Sequence, residues 1–139
     1  RLWSPGWTEF DGEFYRAPRL EMEPTPPRIP IYIGGQSDIA LRRAARYDGW
    51  IGDLLTTDRV IASIARIRDL RAEKGLGMDD FTVITPLADA FTPEQYARAE
   101  AGGVSAVLTA PWMFYCGPDA TLADKIDGLR RFRVDNGLD

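Results

Sequence analysis

The sequence has no histidine and a single cysteine, Cys116, among its 139 residues. The missing histidine excludes a Ser-His-Asp triad and a histidine metal cluster, and removes the commonest general base. One cysteine excludes a disulfide scaffold and a cysteine-based zinc site, so Cys116 reads as a structural or half-exposed thiol. The acidic residues show no metal-ligand spacing, and no metal is expected. Asp89, Glu94 and Glu100 do not form a convincing acid–base pair, so no catalytic residue is assigned. No apolar run approaches the roughly 20 residues of a membrane span, and no segment resembles a signal peptide. The expectation is a cytoplasmic protein that does not associate with membranes. Positive charge is also short: 17 Lys and Arg against 21 Asp and Glu leave a net charge of −4. That balance argues against a nucleic-acid partner, which favours basic patches. Arg42, Arg43 and Arg46 do cluster, and they read as a solvated helix face.

What is present is an ordinary globular composition. Apolar residues make up 45% of the chain, too many for disorder and enough for a core at this length. The chain opens on Arg1-Leu2-Trp3 without a methionine, which reads as the interior of a longer protein. In residues 1–30, Asp11-Gly12 between aromatic residues signals a short hairpin over 10–15. Pro24, Pro26, Pro27 and Pro30 then mark residues 16–30 as an extended connector. From Ile31 the pattern becomes regular. Ile31–Ile33, Trp50–Ile51, Phe81–Thr85 and Val104–Thr109 are short apolar runs that read as buried strands. Between them lie helical stretches. Ser37 caps the first, in which Leu41, Ala44 and Ala45 share a face. Thr57 is the expected cap of the second, with its stripe of Val60, Ile61, Ile64, Ile67 and Leu70. Thr92-Pro93-Glu94-Gln95 is a capping box with proline at the first helical position. Asp119 and Asp124 flank the start of a last helix near Thr121, whose Leu122, Ile126, Leu129 and Phe132 fall on one face.

Four strand–helix units in succession specify an α/β fold with a parallel sheet and right-handed crossovers. Residues 1–139 then form a single partial domain: a hairpin and connector over 1–30, and the sheet over 31–139. Two architectures compete at this level, an open doubly wound sheet of the flavodoxin type and part of a barrel. A closed (β/α)8 barrel takes about 250 residues.

The sharpest chemical feature is Gly34-Gly35-Gln36-Ser37, where a strand ends and a helix begins. Glycine lets backbone approach a ligand closely. The helix start offers N–H donors and partial positive charge, and Ser37 adds a hydroxyl. Those are the elements of a phosphate seat, and equally of a tight turn. The motif is not the dinucleotide fingerprint, which needs a third spaced glycine. Asp48-Gly49-Trp50 reads as a helix-ending turn with a core tryptophan, or as a turn that lets Trp50 pack near a cofactor. Thr85, Thr109 and Trp112 lie at strand ends, where barrels build their sites.

Taken in order, Phe10-Asp11-Gly12-Glu13-Phe14-Tyr15, the proline-rich connector, Pro30-Ile31-Tyr32-Ile33-Gly34-Gly35-Gln36-Ser37, Ala40-Leu41-Arg42-Arg43-Ala44-Ala45-Arg46-Tyr47-Asp48-Gly49-Trp50-Ile51 and Gly102-Gly103-Val104 resemble the luciferase-like monooxygenase family. The strand that closes at Pro111-Trp112 continues the resemblance. It covers nearly the whole chain. It implies the C-terminal half of a (β/α)8 TIM barrel, with this chain supplying about the fifth to eighth strands. It implies an oxidoreductase or monooxygenase that uses the deazaflavin coenzyme F420 or, alternatively, flavin mononucleotide (FMN), together with a small-molecule substrate. The cofactor-binding residues it implies are Gly34, Gly35, Gln36 and Ser37 at the phosphate, with Asp48 and Trp50 nearby. The first four units are absent from this chain, so it is expected to be inactive alone. The rival expectation is a non-catalytic half-barrel that self-associates into a homo-oligomer, because parallel sheet edges and a bare apolar face are rarely tolerated.

Overall fold

The computed structural model describes residues 2–138. The chain divides into two units, at Pro30 and Ile31. In the first, β1 (Thr8–Asp11) and β2 (Arg16–Leu20) pair antiparallel, with Asp11 opposite Arg16 and Phe10 opposite Ala17. The Asp-Gly signal does mark the turn. The loop runs over residues 12–15, where the Gly12 N–H donates to the Tyr15 carbonyl at 2.9 Å. Residues 16–20 are extended, as expected of the connector, but they are a paired strand. The Arg19 guanidinium lies 4.9 Å from the centroid of the Trp7 ring, a cation–π contact on the hairpin.

The second unit runs β3 (Tyr32–Gly34), α1 (Asp38–Ala44), β4 (Gly49–Ile51), α2 (Thr57–Ala72), β5 (Thr82–Thr85), α3 (Pro93–Ala101), β6 (Ala106–Val107), a 3-10 turn (Pro111–Phe114) and α4 (Leu122–Asp135). The strand order is β3-β4-β5-β6, all parallel. This order decides between the two architectures. A doubly wound sheet reverses its strand order partway. Here each strand pairs with the next in sequence, and right-handed crossovers taken in one direction put every helix on one face. That is the winding of a barrel sector, four of its eight units.

The register aligns Ile33, Trp50 and Val83 across the sheet, and Gly34, Ile51 and Ile84 on the opposite side. The first row faces the helices. Trp50, Val83 and Thr85 are fully buried, and Trp50 and Val83 lie in one cluster with Val60, Ile64 and Ile67 of α2 and with Leu41 and Ala44 of α1. The α2 stripe thus does what its spacing demands. On the other side Ile51 is 37% exposed and Leu108, beyond β6, 50%.

Local signals explain most helix starts. The Ser37 hydroxyl accepts from the Ala40 N–H at 3.2 Å. The Gln95 side-chain oxygen accepts from the N–H groups of Phe91 and Thr92 at 2.7 and 3.1 Å. Asp124 accepts from the Thr121 N–H at 2.9 Å, and the Thr121 hydroxyl accepts from the Asp124 N–H at 3.3 Å. Helix α2 differs from its expected cap. Thr56 is the cap residue, and Asp89, 32 residues away, accepts from both the Thr57 N–H and hydroxyl at 2.8 Å. These two bonds hold the Asp89 carboxyl below the usual carboxylate range.

Two further expectations change. Strand β6 is only Ala106–Val107, shorter than the apolar run, because it lies at the sheet edge with one neighbour. The face of α4 is split: Phe132 is buried against the rings of Tyr96 and Phe114, whereas Leu122, Ile126 and Leu129 stay exposed. Gly128, not one of those four, seats the helix: a Cβ there would stand 3.0 Å from the Trp112 Cα. The opposite end of the sheet is tied by Arg71. This buried guanidinium donates to the carbonyls of Gly77 at 2.7 Å, Tyr47 at 3.2 Å and Ala45 at 3.4 Å, and lies over the Phe81 ring. No helix among the described residues is long and apolar enough to cross a membrane.

Candidate functional site

Parallel strands deliver their C-terminal ends, and the loops that follow, to one rim of the sheet, the rim where α/β proteins assemble sites. Here that rim carries Gly34–Ser37 after β3, Gly52-Asp53 after β4, Pro86 onward after β5, and residues 108–112 after β6.

The β3 turn is the most constrained of these. Gly35 has φ +106°, a backbone geometry that L side chains rarely adopt. A Cβ there would also stand 3.0 Å from that of Ala40. The turn is held from beneath: the Trp50 indole N–H donates to the Gly35 carbonyl at 2.7 Å. Trp50 therefore belongs to the loop as its support, from within the helix-facing core. The Gly34–Ile51 register directs the Gly35 N–H to the Ile51 carbonyl, while the N–H groups of Gln36 and Ser37 find no acceptor among the described residues. Two unclaimed donors in succession at a helix start are the ingredients of an anion seat. The next residue, Asp38, is acidic, but Arg42 at 2.6 Å and Arg66 at 2.9 Å bind its carboxylate and hold it below the ordinary carboxylate range.

Asp48 is not part of this assembly. It precedes β4, at the opposite end of the strand, where its carboxylate accepts from the Ile31 N–H at 2.8 Å and its own N–H donates to the Ile31 carbonyl at 3.1 Å. It aligns β3 with β4 from below. Thr85 is fully buried, its hydroxyl bonded to the carbonyls of Asp53 at 3.2 Å and Pro86 at 3.1 Å. Its role is loop packing. Thr109 lines a cavity beside α3, with Tyr96 and Phe132. Trp112 lies in the 3-10 turn, and its carbonyl accepts from the Cys116 thiol at 2.9 Å, which makes Cys116 structural.

Sequence reasoning missed Asp53. Gly52-Asp53 follows β4 as Gly34-Gly35 follows β3, and that repeated glycine at a strand end was the available signal. A Cβ at Gly52 would meet the Thr85 Cβ at 2.9 Å, so only glycine lets β4 and β5 approach there. The exposed Asp53 carboxylate accepts from the Leu54 N–H at 2.8 Å. It is an ionisable side chain on the same rim as the β3 turn.

The chain is similar to several known proteins. An uncharacterized protein of Mycobacterium tuberculosis is 41% identical over 127 residues, 89% of this chain and 44% of that protein. Pyrimidine monooxygenase RutA of Allorhizobium ampelinum is 28% identical over 105 residues, 71% of this chain and 29% of that enzyme. The coenzyme F420 dependent tetrahydromethanopterin reductase from Methanopyrus kandleri overlays 94% of this chain and 41% of its own, with 17% identity and a TM-score of 0.43. The chain spans 44% of the length of the mycobacterial relatives it matches. The family profile described as luciferase-like monooxygenase matches residues 1–116, and the chain belongs to that family.

Proposed function

We propose that this chain supplies the phosphate side of the cofactor site in an oxidoreductase that uses a flavin or deazaflavin, with coenzyme F420 as the first choice and FMN as the second. The observation that carries the reading is the pair of unclaimed N–H groups at Gln36 and Ser37, after Gly35 at positive φ. Family membership supports the redox chemistry. The residues fit a phosphate: the backbone donates, no side chain at Gly34 or Gly35 obstructs, and the neighbouring Asp38 is neutralised by two arginines.

The cofactor, when bound, carries the hydride or the activated electrons. The chain's residues bind and orient. Gln36 and Ser37 donate to the anionic tail, Gly34 and Gly35 leave room for it, and Trp50 fixes the turn so that the donors are preorganised. Asp53 lies on the same rim as a candidate polar contact. The residues nearest the reacting atoms belong to the portion of the longer relatives that this chain does not span, so the chain alone binds without turnover.

The test is a fluorescence titration of the chain with FMN and with riboflavin, which lacks the phosphate, and with F420 and its phosphate-free deazaflavin core. Saturable binding at least tenfold tighter for the phosphorylated member of a pair is the expected result. Gln36→Glu brings a negative charge to the seat and should erase that preference without altering circular dichroism. Equal affinity within both pairs, or no binding at all, removes the phosphate seat.

A further inference from the structure

Positive charge is scarce in a chain of net charge −4, yet it collects between α1 and α2. These helices belong to consecutive units, and one carboxylate bridges them. Asp38 accepts from the Arg42 Nε–H on one oxygen at 2.6 Å and from the Arg66 Nε–H on the other at 2.9 Å. A guanidinium has five N–H donors, and Nε carries only one of them. The terminal amino groups of both arginines find no acceptor among the described residues. Both side chains still meet solvent, Arg42 at 55% and Arg66 at 36% exposure. Asp38 therefore does more than lose its charge to them. It fixes two guanidinium forks side by side, and such forks bind a carboxylate or phosphate through paired N–H groups.

A third arginine extends the patch toward the rim. Residues three and four apart on a helix share a face, so Arg59, two turns before Arg66, lies on the side of α2 that meets α1. It is exposed and has no ion-pair partner among the described residues, since its neighbour Asp58 is taken by Arg98 of α3. Arg42, Arg59 and Arg66 against Asp38 leave a local charge of +2. Asp69 and Glu73, further down α2, act on Arg66 and bound the patch at its lower end. Its upper end adjoins the β3 turn, because Asp38 directly follows Ser37. A ligand reaches both the Gln36 and Ser37 donors and the arginine forks only if its negative charge continues past the phosphate. FMN ends at its phosphate. Coenzyme F420 continues into a chain of glutamates, each with a carboxylate.

We propose that Arg42, Arg59 and Arg66 bind an oligocarboxylate tail that runs outward from the phosphate seat, which selects F420 over FMN. The inference rests on the cofactor reading and adds to it a second contact that can be measured separately.

The test compares the affinity of the chain for F420 carrying several glutamates, for the same deazaflavin phosphate without glutamates, and for the phosphate-free core. At low salt the tail is expected to tighten binding about fivefold, the upper range for an exposed ion pair. That gap should close at about 0.5 M salt. Arg66→Gln leaves Asp38 paired with Arg42, and Arg59→Gln does not touch that carboxylate. The double variant should lose the tail gap and keep the phosphate preference, with unchanged far-ultraviolet circular dichroism. Equal affinity with and without the tail overturns this inference alone, because the phosphate preference is read from the other pair. A tail gap that survives the double variant also overturns it, since the tail then lies elsewhere. Free tetraglutamate that binds as tightly as the tailed coenzyme assigns the patch to an acidic peptide and overturns it too. Failure of all three deazaflavins to bind removes it together with the cofactor reading.

Discussion

The two faces of one sheet have opposite fates. On the helix side, Trp50, Val83 and Thr85 are fully buried, whereas on the other side Ile51 is 37% exposed and Leu108, past β6, 50%. Residues one position apart in the same strand are therefore held by different things. The buried row is fixed by chain-local packing against α1 and α2. The bare row gains little from folding of this chain, although its residues are as apolar. Stability in this chain comes from one side of the sheet, and the other side is left partly exposed.

That contrast can be broken by mutation. The largest effect is expected at Trp50. Trp50→Ala removes the largest fully buried side chain and the indole donor to Gly35, and should cost about 3–5 kcal/mol by chemical denaturation. Next to it in sequence, Ile51→Ala should cost less than about 1 kcal/mol in the separated chain. A cost at Ile51 that rises with protein concentration would show the bare face to be covered in an assembly. Arg71→Met comes second: three carbonyls lose their donor, for an expected loss of about 2–3 kcal/mol. Asp89→Asn comes third and is read against pH. The folded carboxyl titrates below its unfolded value, so its contribution is present above about pH 4 and is lost as pH falls through the lower folded value. The parent chain should lose stability over that range, and the variant should follow a shallower curve. Identical curves would remove Asp89 as the cap of α2. Among the polar substitutions the smallest effect is expected at Ser37→Ala, about 1 kcal/mol from a lost cap. Its cofactor affinity should fall while Ile51→Ala leaves affinity alone.

What the sequence showed was what is local. The α2 stripe, the Gln95 and Asp124 caps and the glycine at the β3 turn each depend on residues within a few positions, and each is where pattern placed it. The strand order was settled only by the structure, because periodicity states that a strand is buried and not which strand it meets. The same limit hid the Asp89 bond to Thr57 and the three carbonyls on Arg71, since those partners are brought together by the sheet. Phe132 was assigned to the α4 stripe on spacing alone, and the 3-10 turn beneath the helix decided which part of that stripe is covered. At the site, the Gly34–Ser37 turn was readable. That Trp50 supports it while Asp48 lies at the other end of β4 was not, because both contacts depend on how β3 pairs with β4.

The β3-β4-β5-β6 order has a consequence for synthesis. Each strand bonds to the one made just before it, so a chain emerging from the ribosome always meets a partner already in place. The sheet can grow in the direction of translation, one unit at a time, without waiting for a distant segment.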